Sequence, residues 1–164
     1  MDGSPALIDT NILGYVFDSR EQEKRQISHD LLAKCWKGEI QYAVSVQNLA
    51  EFAVIVTEKV ANPVPSDTVL AFIHTITAYD GWIKIGYSGK TIEEAIKIQS
   101  FHKIHFWDAL IIATMKENGL SHIYSDDRHL ACVPSITVIN PYQRKQSSDK
   151  KGEQSGTLSQ DLHE

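Results

Sequence analysis

The stretch Ala6-Leu7-Ile8-Asp9-Thr10-Asn11 decides the fold. Three apolar residues end abruptly in an acid, a hydroxyl and an amide, and an apolar-periodic segment with Ile12, Tyr15 and Val16 follows at once. In a chain that alternates strands with helices, such a step marks the carboxyl end of a buried parallel strand, the edge where open α/β sheets bind ligands. An acid at that edge leads us to expect further polar groups delivered there by later segments.

Working outward, the pattern repeats. Ile27, Leu31, Leu32 and Cys35 recur at helical spacing over residues 22–36, with Gly38 as the stop. Tyr42-Ala43-Val44 reads as a second strand, after which Ser45 caps a long helix striped by Leu49, Phe52, Ala53, Val56 and Val60. Asn62-Pro63-Val64-Pro65 breaks that helix, and Ser66 is expected to cap the next, with Val69, Leu70, Ile73 and Ile76 inward. Trp82-Ile83-Lys84-Ile85 is a third strand. Thr91 and Glu94 have the spacing of a capping box opening a helix through Ala95, Ile98 and Phe101. A further helix runs over residues 106–118 to Gly119, and residues 122–125 and 136–139 are the fourth and fifth strands. The expected class is α/β: three layers, a parallel sheet of about five strands with helices on both faces.

With 164 residues, one domain is expected over residues 1–142, large enough to bury a core without staples. From Gln143 the sequence is polar, with four basic and four acidic side chains, and is expected to be a disordered tail over 143–164. The formal net charge of -5 excludes a generally basic nucleic-acid coat, so contact with nucleic acid has to be local or mediated by cations. Cys35 and Cys132 form no CxxC pattern and are expected to be free thiols. The first residues have no basic leader pattern, and no apolar stretch approaches the ~20 residues of a membrane span. A cytoplasmic protein without membrane association is expected.

Four later positions answer the opening acid. Glu51 interrupts an apolar helix, and Asp108 sits in the first turn of Phe106-Trp107-Asp108-Ala109-Leu110-Ile111-Ile112-Ala113. Asp126 and Asp127 follow the fourth strand as Asp9 follows the first. Strand ends and helix N-termini share one edge of a parallel sheet. Carboxylates about 5 Å apart repel by ~3 kcal/mol per pair at an effective dielectric near 20, so such a cluster requires protons or a cation. All-oxygen ligands favour a hard ion, Mg²⁺ or alternatively Mn²⁺, and such an ion activates water and offsets charge on a phosphate. Singly, each acid has a plainer role: Asp9 as a helix cap, Asp108 as a helix-dipole complement, Glu51 as a lysine partner, one of Asp126 and Asp127 as a turn residue.

The segments LIDTNIL (7–13), SVQNLAEF (45–52), HFWDALIIATMKENG (105–119), IYSDDRHL (123–130) and INPY (139–142) resemble, in order and spacing, the PIN-domain ribonucleases found as toxins of VapBC toxin–antitoxin pairs. That resemblance implies a PIN fold and a catalytic set of Asp9, Glu51, Asp108 and Asp127, with Asp9 and Asp108 on the metal. Asp127 is preferred to Asp126 because the family pattern is a hydroxyl residue, any residue, then the acid. Asn11 and Ser125 match polar residues that orient those acids. The resemblance further implies an RNA substrate, a small antitoxin partner and a homodimer. One departure is Arg128-His129-Leu130, where many relatives carry a glycine turn after the last acid.

Other residues invite weaker readings. His102 and His105 are zinc-type ligands without a third at matching spacing, and with Lys103 and Arg128 they are candidate RNA contacts. Residues 86–90 lack phosphate-loop spacing. Two alternatives to a nuclease remain open: a PIN-fold RNA-binding or scaffold module without cleavage, and a haloacid-dehalogenase-like phosphatase, whose second acid would stand where Asn11 is.

Overall fold

In a computed structural model, residues 4–143 are described. The tail expected over 143–164 lies outside them, apart from Gln143 itself. Five short strands, β1 (Ala6–Ile8), β2 (Tyr42–Ser45), β3 (Trp82–Ile85), β4 (His122–Tyr124) and β5 (Thr137–Ile139), form one sheet in the order β3-β2-β1-β4-β5. Every neighbouring pair is parallel, as expected, with Leu7 opposite Ala43 on one side and Ile123 on the other. The chain builds outward from β1 through β2 to β3, then returns to the other side of β1 for β4 and β5. The order therefore reverses between β1 and β4, and loops leaving those two ends diverge to open a crevice.

The two-residue period of the strands sends alternate side chains to opposite layers. Leu7, Ala43, Ile85 and Ile123 pack beneath α5 (Gly89–His102) and α6 (Phe106–Glu117). Ile8, Tyr42, Val44 and Trp82 pack against α1 (Thr10–Tyr15), α2 (Gln22–Trp36), α3 (Val46–Val54) and α4 (Ser66–Ala78). The expected three layers are present. Residues Ala109–Met115 of α6 are buried without interruption, so that helix runs through the core with only its N-terminal turn at the sheet edge. Gly38 and Gly119 end their helices in the left-handed conformation, φ 71° and 69°, which glycine adopts without a Cβ penalty.

Ser45 caps α3 through a reciprocal pair: its hydroxyl accepts from Asn48 N at 3.0 Å, and its backbone N–H donates to Asn48 Oδ1 at 3.2 Å. Because Asn48 also reaches Thr10, this cap anchors the helix that carries Glu51. Ser45→Ala is expected to lower stability by about 1 kcal/mol. Urea unfolding checks this; an unchanged midpoint would show that the cap is dispensable. After Val54 the helix widens into a π-helical turn, Ile55–Lys59, before the proline break.

Two expected caps are corrected. The box opening α5 is Ser88 with Thr91, not Thr91 with Glu94. Thr91 lies one turn inside the helix, where its hydroxyl meets Ser88 and donates to Glu117 of α6, while Glu94 stays at the surface beside Lys97 and Lys116. Ser66 is the first helical residue of α4 and makes no capping bond; Pro65 precedes it and its carbonyl accepts from Thr68 and Val69. Among the described residues no helix is long and apolar enough to cross a membrane.

Candidate active site

Asp9 stands where β1 ends. Its extended backbone (φ -70°, ψ 155°) stops the strand and starts α1, and its Oδ1 accepts from Thr10 N at 2.7 Å. The plain capping role is therefore real. Its other oxygen does something a cap does not require: Oδ2 accepts from Ser125 Oγ, beyond β4, at 2.5 Å. Ser125 is fully buried, and its Oγ in turn accepts from Asp127 N at 2.9 Å. One hydroxyl thus ties the ends of the two strands that flank the crevice.

Glu51 reaches the same edge from α3. Its Oε2 accepts from Thr10 Oγ1 at 3.0 Å and its Oε1 from Gln47 Nε2 at 2.9 Å, one helical turn earlier. Asn48 Nδ2 donates to Thr10 Oγ1 at 3.1 Å, completing a chain from the Ser45 cap to the Glu51 carboxylate. Asp108 occupies the first turn of α6, half-buried, where the helix dipole favours an anion.

Asp126 and Asp127 part company. Asp127 begins a 3₁₀ turn, Arg128–Cys132, and its Oδ1 accepts from His129 N at 2.8 Å, so it is a turn residue as well as the acid facing Asp108. Asp126 turns the other way. Its Oδ2 accepts from Tyr15 Oη at 2.8 Å and from Lys24 Nζ at 3.0 Å, and its Oδ1 accepts from Asn11 Nδ2 at 3.3 Å. Asn11 therefore orients Asp126, and Ser125 is the residue that holds Asp9. Lys24 also lies over the Tyr15 ring, 4.3 Å from its centroid.

Electrostatics separates the acids in the same way. Burial, joined by the charges of Glu51 and Asp126, pushes the Asp9 carboxyl up to about 6 against the pull of its Ser125 and Thr10 hydrogen bonds. Asp108 is raised by burial and by Asp127 and Glu51, and moderated by His105 and His129. Burial would also raise Asp126, but bonds from Lys24, Tyr15 and Asn11 outweigh it and hold that carboxyl low. Among the described residues Asp9, Glu51 and Asp108 have no lysine or arginine partner.

A folded carboxyl at about 6, against roughly 4 in the unfolded chain, means that between those values the folded state binds the extra proton. Stability contributed by Asp9 is thus present below about pH 4 and lost as pH rises through 6. In chelator at pH 8, Asp9→Asn is expected to be more stable than the wild type by on the order of 1 kcal/mol or more, the gap closing near pH 4. Thermal melts across that range check this, and equal stability at pH 8 would contradict it.

The donor set suits a hard divalent cation, with one restriction. Among the described residues no three His, Cys, Asp or Glu side chains converge closely enough to cage an ion. A cation held by one or two carboxylates and completed by waters, as Mg²⁺ usually is, fits this edge; a closed zinc site does not. His105 is exposed at the start of α6, His102 is half-buried at the end of α5 beside Phe101, and Lys103 and Arg128 are exposed. Thr10, Gln47, Lys24 and His129 also belong to this edge and were not singled out from the sequence. Gln47 was findable, lying one turn from Glu51; Lys24, separated from Asp126 by 102 residues, carries no local signal.

A family model described as PIN domain matches residues 6–134. No curated protein sequence gives a significant match. Among solved structures, a toxin–antitoxin complex from Klebsiella pneumoniae is similar at 22% identity and a TM-score of 0.55, covering 85% of this chain and 99% of its own. The Mycobacterium tuberculosis VapC20 toxin, described as cleaving the sarcin–ricin loop, is similar at 16% identity and 0.59, over 77% and 92% of the two chains. FitAcB from Neisseria gonorrhoeae is similar at 17% and 0.59, over 85% and 99%.

Proposed function

The chain belongs to the PIN-domain family, and on that premise we propose that it is a Mg²⁺-dependent endoribonuclease, the toxin of a VapBC-type pair. The observation that carries this reading is the gathering of Asp9, Glu51 and Asp108 at one sheet edge with no lysine or arginine partner among the described residues, while the adjacent Asp126 is neutralised by Lys24. Asp9 and Asp108 would hold the cation, with Glu51 and Asp127 completing the acidic rim. When bound, the ion supplies Lewis acidity, making water nucleophilic at neutral pH and offsetting charge that builds on the scissile phosphate.

The protein's own contribution is preorganisation. Thr10 N and Ser125 Oγ fix both oxygens of Asp9, and Thr10 Oγ1 and Gln47 Nε2 fix both oxygens of Glu51, so neither carboxylate has to be reoriented during turnover. Burial around Asp9 keeps bulk water from screening the charges that act there. Lys103 and Arg128 offer positive charge, and the His105 and His129 imidazoles offer hydrogen bonds, to a phosphate backbone that the net charge of -5 otherwise repels. The neighbours described as toxin–antitoxin complexes support a small antitoxin partner, and the reading includes a homodimer in the cytoplasm.

The test is incubation with structured RNAs in Mg²⁺ or Mn²⁺, then with chelator. Internal cleavage that stops in chelator and returns with added cation is expected. Cleavage indifferent to chelator would overturn the mechanism, and tight RNA binding without cleavage would favour the scaffold reading.

A further inference from the structure

Lys24 is not held as a surface lysine is. Its ammonium donates to Tyr15 Oη at 2.8 Å and to Asp126 Oδ2 at 3.0 Å. It also lies over the rings of Tyr15 and Tyr142, 4.3 and 5.4 Å from their centroids. Those rings meet edge to face, and the Tyr142 hydroxyl is 2.6 Å from that of Ser28, a fully buried residue one turn along α2. Two hydrogen bonds and two ring faces keep one charge in one place, whereas an exposed lysine keeps its rotamer freedom.

What Lys24 grips is the middle residue of the loop after β4, where three consecutive side chains point three ways. Ser125 Oγ donates to Asp9 and accepts from Asp127 N, and the Asp127 charge acts on Asp108. Asp126, between them, turns instead to α1 and α2, where Asn11, Tyr15 and Lys24 donate to it. Asp9 lies close enough to Asp126 for their charges to oppose. Without the ammonium, that repulsion and a half-buried unpaired carboxylate would both favour swinging Asp126 out to water. Adjacent residues do not move independently, so Ser125 and Asp127 would shift with it.

We propose that Lys24 is a positioning residue for the acidic edge: by clamping Asp126 to α1 and α2 it fixes the loop that presents Ser125 to Asp9 and brings the Asp127 charge to bear on Asp108. The effect on turnover rests on the ribonuclease reading, while the effect on the loop rests on these contacts alone.

The test joins amide hydrogen exchange on the full chain to cleavage kinetics. The Ser125 amide donates to the Ile139 carbonyl and the Asp127 amide to Ser125 Oγ. Lys24→Met is expected to speed exchange at both about tenfold relative to the amides of α6. It is expected to lower kcat for RNA about tenfold with KM little changed, and Lys24→Arg to restore most of both. Tyr15→Phe, which keeps the ring and loses the hydroxyl, is expected to give the same local pattern to a smaller extent, and it covers a Lys24→Met chain that does not fold. In an Asp126→Asn background, Lys24→Met is expected to add little, because the charge it acted on is gone. Exchange raised equally throughout α6 would make Lys24 a general stabiliser and overturn the proposal. So would an unchanged loop, or a raised KM with a shallower salt dependence, which marks a phosphate contact. Wild-type cleavage by Lys24→Met removes the positioning role and leaves the nuclease. Local loosening in a chain that cleaves no RNA supports the clamp and removes the nuclease.

Discussion

Asp9→Asn is expected to abolish RNA cleavage, lowering the rate by about a hundredfold or more, while leaving the fold intact or more stable. The substitution is nearly isosteric, and the amide oxygen can still accept from Thr10 N or Ser125 Oγ, so the strand end and the start of α1 keep their anchor. What disappears is the negative charge. That charge is costly in the metal-free protein, because burial, Glu51 and Asp126 all oppose it, and a carboxyl held at about 6 is the sign of that cost. Its retention makes sense if a cation repays it during function. Single-turnover cleavage of a labelled RNA, run beside thermal melts of the same sample, checks both halves. Cleavage at the wild-type rate would remove Asp9 from the chemistry. Lost cleavage with lost folding would make its role structural.

Phe52→Ala is expected to be the most damaging single change to stability, costing ~3–5 kcal/mol of a total of roughly 5–15. Phe52 has no exposed surface and follows Glu51 directly in α3. Its ring meets Phe17 at 5.6 Å and Phe72 at 5.1 Å, and those two meet each other at 5.1 Å, so one side chain joins the segment after α1 to α3 and α4. Three interlocked rings cannot close over a cavity of that size without moving helices. Because the same helix positions Glu51 and Gln47, cleavage should fall with stability. Denaturant unfolding gives the number, and a loss under about 1 kcal/mol would mean the cluster repacks.

Much of the fold was legible because its signals are local. The apolar run of β1 ends at Asp9, the helical stripe of α6 begins beside Asp108, and glycine stops follow α2 and α6, each within a few residues. The misplaced cap of α5 has an equally local cause: Ser88, Thr91 and Glu94 are spaced three apart, so both pairs fit the rule. The side chain of Thr91 decided between them by meeting Ser88 and Glu117. Sheet order was less accessible, since alternation predicts parallel strands without saying that β4 returns to the far side of β1. The bond from Gln47 Nε2 to the Trp107 carbonyl has no sequence motif, because its two residues stand 60 positions apart.

The sequence by itself determined that acids stand at the ends of two strands, inside one helix and at the start of another, because periodicity and chain breaks are properties of neighbours. Only the tertiary structure decided which acid is neutralised. Asp126 and Asp127 are adjacent, yet Lys24 from α2 pairs with Asp126, while Asp127 meets His129 two residues on and its charge acts on Asp108. Charge pairing depends on distance across the fold, and no local pattern encodes a partner 102 residues away.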